Sequence, residues 1–374
     1  VEHPVSTIKP QARREATLKD VARLAGVSTA TVARVLHNRG YVAEETRAAV
    51  ASAIAETGYR VNAVAQGLRK QRTFLIGHVL QAIAPNPFFA TVALASQQEA
   101  ARHGCGLILS TSQANPDIER DVVETLLRQR VDAILFTTVT SEENVALAVA
   151  AGIPVVQVER VGEVESHGVS VDNFTGAFDA AEHLIELGHR RIAFIGVSPE
   201  TPHGVSNDGR VISYSFERRS VERERLGGYT SALAAHDVPM DPRLIDLGNT
   251  YYSSERGNKV TKRLMELDPE VRPTAIFAGC DLLAAGVLQE LTERGLRVPE
   301  DISVVGYDDT YASHLSPPLT SVAQPMSELG RIAVDMAIEA LDGELPNGEV
   351  LRKRLSAKLV IRASTGPPPT ESPG

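Results

Sequence analysis

The sequence predicts a chain in two parts, an all-α head followed by an α/β body built as two doubly wound parallel-sheet subdomains. Helical periodicity is confined to the first sixty or so residues, β-rich runs alternate with amphipathic stretches after Phe74, and the charge divides at the same place. At 374 residues with 43% hydrophobic content, the chain is too long for one ordinary core and apolar enough to build several.

In the head, Leu18, Val21 and Leu24 recur at helical spacing, as do Val32, Val35 and Leu36 and then Val50, Ala53 and Ile54, which predicts three short helices. Within LKDVARLAGVSTATVARVLHN, Ala22 is small where two helices must cross closely. Gly26 follows the first helix where a left-handed backbone is needed, and Ser28 can cap the second. Val27 and Val32 would fill the space between them, so residues 17–38 read as a helix-turn-helix, with an ordinary αα-hairpin as the alternative. If 28–36 is a recognition helix, Thr29, Ala30 and Arg34 face the major groove, where Arg can pair bidentately with guanine. Ser28 and Thr31 are better placed for phosphates. A third helix begins near Ala43 with Glu44 and Glu45 in its first turn, and a short segment, 62–70, follows it.

Charge favours the nucleic-acid reading. The net charge of -9 argues against it for the whole chain, but residues 1–72 carry 12 Lys and Arg against 6 Asp and Glu, leaving 26 against 41 for the remainder. A basic head therefore sits on an acidic body. Cys105 and Cys280 cannot supply a disulfide framework or a structural zinc site, which fits a reducing compartment. The first twenty residues lack the apolar core of a secretory signal, and no run approaches the length of a membrane helix, so a cytoplasmic protein without a membrane partner is expected. Residues 1–16 and 364–374, polar or Pro-rich without periodicity, are expected to be disordered tails.

The body alternates FLIGHV, GLILS, DAILF and PVVQV, then RIAFIG, LIDLG, TAIFA and ISVVGY, with helical stretches between them. Ligands of open α/β sheets bind beyond the carboxyl ends of the strands. Polar residues stand at that place repeatedly: Glu159, then Asp172 and Asn173, then Asp281, then Asp308 and Asp309. No Walker loop, HExxH, GxSxG or metal-spaced His and Cys cluster is present, and His103, His183, His189, His236 and His314 are scattered. No enzyme, cofactor or metal is expected, and His189 reads as a turn residue between a helix and a strand.

The segments TLKDVARLAGVSTATVARVL, ETGYRVNAVAQGLR, NPFF, GIPVV, VDN, HLIELGHRRIAFIG, PTAIF, VPEDISVVGYDD and PPLTSVAQP occur in an order that resembles the LacI/GalR family of transcription regulators, from residue 17 to about 365. The resemblance implies a periplasmic-binding-protein-like body and a homodimer, or an assembly of dimers, on pseudo-palindromic double-stranded operator DNA. It implies head contacts that also include Thr17, Leu18, His37 and Asn38. It further implies a hinge helix carrying Asn62, Ala65, Leu68 and Arg69, with Leu68 matching a leucine that wedges into the minor groove. A plain hydrophobic contact is the alternative for Leu68. The implied effector cleft holds Asn86, Phe88, Glu159, Arg225, Tyr252, Cys280 and Asp308, a set that suits a sugar slightly better than a purine.

The resulting division is a head at 17–61, a hinge and linker at 62–72, a first subdomain at 73–171 plus about 326–345, and a second at 172–325 plus about 350–363. The chain departs from the family at Ala33 and His37 in the head and at Cys280 and Glu159 in the cleft. The connection across 198–224 is also longer than usual, which fits a lid or a surface insertion. A periplasmic-type sugar-binding protein would share the body's fold but not the basic head. Repression is favoured over activation, induction and corepression stay open, and the lack of a leucine-heptad tail after Ile361 favours a dimer over a tetramer.

Overall fold

The computed structural model describes residues 16–36, 40–59, 72–197, 220–248, 252–343 and 349–369. The chain forms two compact units, Val1–Thr73 and Phe74–Gly374.

The head contains α1 (Leu18–Leu24), α2 (Thr29–Leu36) and α3 (Glu44–Thr57). Thr17 starts α1 through a reciprocal capping box: its hydroxyl accepts from the Asp20 amide at 3.4 Å and its own amide donates to Asp20 Oδ2 at 3.0 Å. Gly26 takes φ +67° in the turn, a conformation that a Cβ would strain. Ser28 Oγ then accepts from the Thr31 amide at 3.1 Å and opens α2. Val21, Ala22, Val32, Val50 and Ala53 bury together, so the helical stripes read from the sequence close one small core.

The body holds two six-stranded sheets. The first contains β1 (Leu75–Leu80), β2 (Gly106–Thr111), β3 (Ala133–Thr137), β4 (Val155–Val158), β5 (His167–Asp172) and β11 (Arg352–Ser356), in the order β11-β5-β4-β3-β1-β2, all parallel. The second contains β6 (Ile192–Val197), β7 (Ile245–Gly248), β8 (Ala275–Ala278), β9 (Ser303–Asp308), β10 (Thr320–Ala323) and β12 (Lys358–Val360), in the order β12-β10-β9-β8-β6-β7. Only β12 runs antiparallel.

Both faces of each sheet are covered, which is why the central strands read as largely apolar runs rather than as alternating ones. In the first half, α4 (Pro87–Arg102) and α11 (Met326–Asp342) pack on one face, while α5 (Pro116–Arg128) and α6 (Glu142–Ala150) pack on the other. In the second, α7 (Asn173–Glu186) and α8 (Val221–Ala235) oppose α9 (Ser254–Met265) and α10 (Asp281–Glu293). Helices α7 and α8 touch backbone to backbone at Gly228, where a Cβ would lie 2.2 Å from the Phe174 carbonyl oxygen.

Two expectations are corrected here. Residues 350–363 do not all join the second half: 352–356 form β11 beside β5, with Leu355 buried against Val169 and Val171, and only 358–360 reach the second sheet. The exposed Arg352, Lys353 and Arg354 mask the strand in the sequence. The stretch 364–369 is also ordered into the body. Ser364 Oγ donates to the Val304 carbonyl at 2.6 Å, and buried His189 donates from Nε2 to the Gly366 carbonyl at 2.9 Å. His189 therefore occupies its expected turn and also ties down the chain end. Of the long connection at 198–224, only 220–224 lie among the described residues, and 221–224 begin α8.

Candidate ligand cleft and nucleic-acid interface

In the head, Ser28, Thr29, Ala30 and Arg34 are exposed and Thr31 is half-buried, while Val32 on the opposite side of α2 is buried. The helix thus offers the expected side chains outward and keeps its apolar stripe for packing. Thr17 is exposed with its hydroxyl engaged in the capping box, and Leu18 packs against the head core. His37, Asn38, Asn62, Ala65, Leu68 and Arg69 lie outside the described residues.

In the body, a cavity of about 360 Å³ opens where the carboxyl ends of both sheets face each other. Five non-glycine residues in its wall, Gln113, Ala114, Thr138, Glu159 and Asp308, take positive φ, from +52° to +97°. Such conformations cost about 1–3 kcal/mol each and persist only where the surroundings enforce them. Here the sharp turn after each strand is what aims the side chain inward.

Arg225, on α8, is the centre of the polar network and only 4% exposed. Its Nε donates to Asn173 Oδ1 at 2.9 Å and its Nη1 to the Gly279 carbonyl at 2.7 Å. Its Nη2 lies 3.6 Å from Asp308 Oδ1 and 3.9 Å from Glu159 Oε1, and the guanidinium stands 3.8 Å from the centroid of the Tyr307 ring. Burial alone would lower the pKa of this cation, but Asp308, Tyr252, Tyr307 and Glu159 together raise it. Burial raises Glu159 to about 7, against the opposing pull of Arg225 and of the 3.0 Å bond from Asn173 Nδ2. Asp308 is raised by burial too, despite Arg225 and bonds from Asn86 Nδ2 at 3.2 Å and Gln324 Nε2 at 2.6 Å. Behind it, burial and the Asp308 charge push Asp281 up to about 7.

Several bonds join the two halves across the cavity. Asn86, the cap of α4, reaches Asp308 at the end of β9. Arg160, just after β4, places Nη2 3.2 Å from Glu222 Oε1 on α8. Closure is thus held partly by the same side chains that would meet a ligand.

The structure brings Asn86, Phe88, Glu159, Arg225, Tyr252 and Asp308 to the cavity wall. Cys280 is not among them. It is fully buried and caps α10, its Sγ accepting from the Leu283 amide at 3.4 Å. Gln324, Thr138, Arg160 and Glu222 also line the wall and were not singled out from the sequence. Thr138 directly follows the apolar strand β3, so the rule that selected Glu159 and Asp308 could have found it, whereas Gln324 follows β10, whose sequence TSVA does not stand out as a strand. Glu222 lay hidden in the charged run ERRSVERER. Outside the cleft, Glu99, His103 and Asp335 come together, with the outer carboxylate oxygens held by Arg102 and Arg331. Those arginines make the trio an ion-pair network between α4 and α11.

A helix-turn-helix head on a two-sheet α/β body with a polar cleft defines a ligand-binding DNA-reading protein. Residues 17–62 match the bacterial regulatory proteins of the lacI family, and residues 181–365 match the periplasmic binding protein-like domain. The chain is 34% identical to Catabolite control protein A of Priestia megaterium over 93% of its own length and 99% of the relative's. It is 35% identical to the HTH-type transcriptional regulator CelR of Thermobifida fusca, over 94% and 99%. Among solved structures, the lac repressor dimer bound to operator and the anti-inducer ONPF superposes with a TM-score of 0.75 at 28% identity, covering 94% of this chain and 100% of that one. A CelR–cellobiose complex superposes with a TM-score of 0.66 at 32% identity, over 94% and 100%.

The chain belongs to the LacI family of bacterial regulatory proteins and is a DNA-binding transcription regulator. Among the described residues, no helix is long and apolar enough to cross a membrane.

Proposed function

We propose that this regulator is a cytoplasmic homodimeric repressor that grips a pseudo-palindromic operator, with its affinity set by a small sugar-like effector in the cleft. The observation that carries the reading is the pairing of a recognition helix offering Thr29, Ala30 and Arg34 with a cavity bridged by Asn86–Asp308 and Arg160–Glu222 bonds. In this reading Thr29, Ala30 and Arg34 meet base edges, Ser28 and Thr31 meet phosphates, and Leu68 wedges into the minor groove between two subunits. The relatives' names and complexes support it: a repressor dimer on operator in one case and cellobiose in another. A ligand that binds one degree of closure better than another shifts the equilibrium between them, and the coupling to operator binding is a free energy shared by both sites.

The role is regulatory, and no catalytic residue is assigned. The test is to select operators from a random duplex pool with the full chain, then titrate the selected duplex with and without neutral sugars. The reading requires that at least one sugar change the operator affinity and that Asp308→Ala abolish that change. A chain that binds no duplex, or whose binding no sugar alters, refutes it.

A further inference from the structure

Resting on the reading of the cavity as the effector site, we infer that the effector is an uncharged, hydroxyl-rich sugar, that phosphorylated and carboxylated sugars are excluded, and that Glu159 Oε2 and Gln324 Oε1 each accept one of its hydroxyls. Two observations carry this.

The first is the set of hydrogen-bonding atoms that the protein leaves unmet. Among the described residues lining the cavity, three buried polar atoms lack any partner within the protein: Glu159 Oε2, Gln324 Oε1 and Arg160 Nε. A buried polar atom without a partner costs stability, and where it lines a cavity a ligand group can meet it. Gln324 Oε1 can only accept, as can Glu159 Oε2 once it is ionised above about pH 7, and Arg160 Nε can only donate. A hydroxyl does both, whereas an ionised phosphate or carboxylate group set against the two acceptors has no hydrogen to give them. Glu159 belongs to the first half and Gln324 follows β10 of the second, so hydroxyls on one ring can satisfy acceptors on both sides of the cleft.

The second is charge. The wall carries three carboxylates, Glu159, Glu222 and Asp308, and two guanidiniums, Arg160 and Arg225. Neither guanidinium is available for a bidentate grip on an anion. Arg225 spends Nε and Nη1 on Asn173 and Gly279 and turns Nη2 toward Asp308 and Glu159. Arg160 donates from Nη2 to both oxygens of Glu222 and from Nη1 to the Val139 carbonyl, so its charge is already engaged by a carboxylate. Once Glu159 is ionised, above about pH 7, an anion entering here would meet an excess of negative charge in a site of low dielectric. The apolar face of a pyranose has a matching surface in Phe88 and Tyr252.

The experiment is isothermal titration of the full chain at about pH 8 with a library of neutral mono- and disaccharides, the phosphates and uronic acids derived from them, and hypoxanthine. The expected result is that binding is confined to one or a few neutral sugars, with each anionic derivative about a hundredfold weaker or undetectable. Glu159→Gln, which keeps the shape and removes a charge that burial penalises, should fold and weaken the neutral sugar about tenfold. An anionic derivative that binds as tightly as its parent overturns the inference and leaves the sugar-responsive cleft standing. Binding of hypoxanthine alone, or of no member of the library, overturns that underlying reading and the inference with it. Unchanged affinity in Glu159→Gln overturns the assignment of its carboxylate as a hydroxyl acceptor.

Discussion

Replacing Arg225 by Met removes the one cation among the described residues that both Glu159 and Asp308 face, while nearly preserving volume. All three side chains are about 5% exposed, so water cannot replace the lost charge. Removing one partner of such a buried pair costs about 3–5 kcal/mol, because the remaining charges stay uncompensated. Protonation offers a way out, and this makes the loss depend on pH. In the native fold Glu159 titrates at about 7 against an ordinary 4.5, so the folded state holds its proton more tightly than the unfolded chain does. That difference costs nothing when both states are protonated and reaches about 3 kcal/mol once both are ionised near pH 8. Without Arg225 the pull that lowers both carboxylates is gone, and the penalty above neutrality grows. Urea unfolding of wild type and Arg225→Met near pH 5 and pH 8 should give a gap of several kcal/mol at the higher pH that narrows markedly at the lower. Adding Glu159→Gln to the variant should recover part of the loss. An equal gap at both pH values, or no recovery, would refute the assignment of Arg225 as the counterion of the cleft.

Gly228→Ala should destabilise the second half by more than about 2 kcal/mol in thermal or urea unfolding, since its Cβ would collide with the backbone of α7. Gly26→Val should weaken operator binding chiefly by destabilising the helix-turn-helix, seen as lost head helicity by circular dichroism, because a β-branched residue at φ +67° is strained by about 1 kcal/mol or more. Leu68→Ala should weaken operator binding in a gel-shift titration while sugar affinity stays at the wild-type value. His189→Ala should loosen 364–369, read as faster amide exchange there, because it removes one of the two donors to the Gly366 carbonyl and leaves Ser303 Oγ as the other. Burial also lowers the pKa of His189, so the stability from its neutral form should decline as pH falls below about 6.5.

How much of this could be read from residues alone depended on whether a position announced its burial. The strands β1, β3, β4, β6, β8 and β9 stood out because both faces of each are covered and the runs are mostly apolar, with His78 and Gln157 among the buried polar exceptions. Gly26 and Ser28 announced the turn in the head because backbone geometry leaves few residue types there. Strand β11 was illegible: only Leu355 points into the core, and Arg352, Lys353 and Arg354 read as solvated chain. In the cleft, Glu159 and Asp308 were visible because a carboxylate directly after an apolar strand is conspicuous. Gln324 was not, since it follows the polar strand TSVA. Cys280 failed for the opposite reason. Its position after β8 is right, but its sulfur turns back to cap a helix, and which way a side chain turns is a property of packing that order along the chain does not carry.

Among the described residues, the body passes from one half to the other three times, after β5, after β10 and between β11 and β12. Three side-by-side covalent connections act mechanically as a door hung on three pins. Twisting or shearing one half against the other would stretch at least one strand, while rotation about the line joining the connections stretches none. Motion inside the body is thereby reduced to nearly one angular coordinate, so that whatever occupies the cleft can set a single variable. The third connection comes late in the chain, so loss of the residues from 350 onward would remove that pin and leave a body able to twist as well as swing.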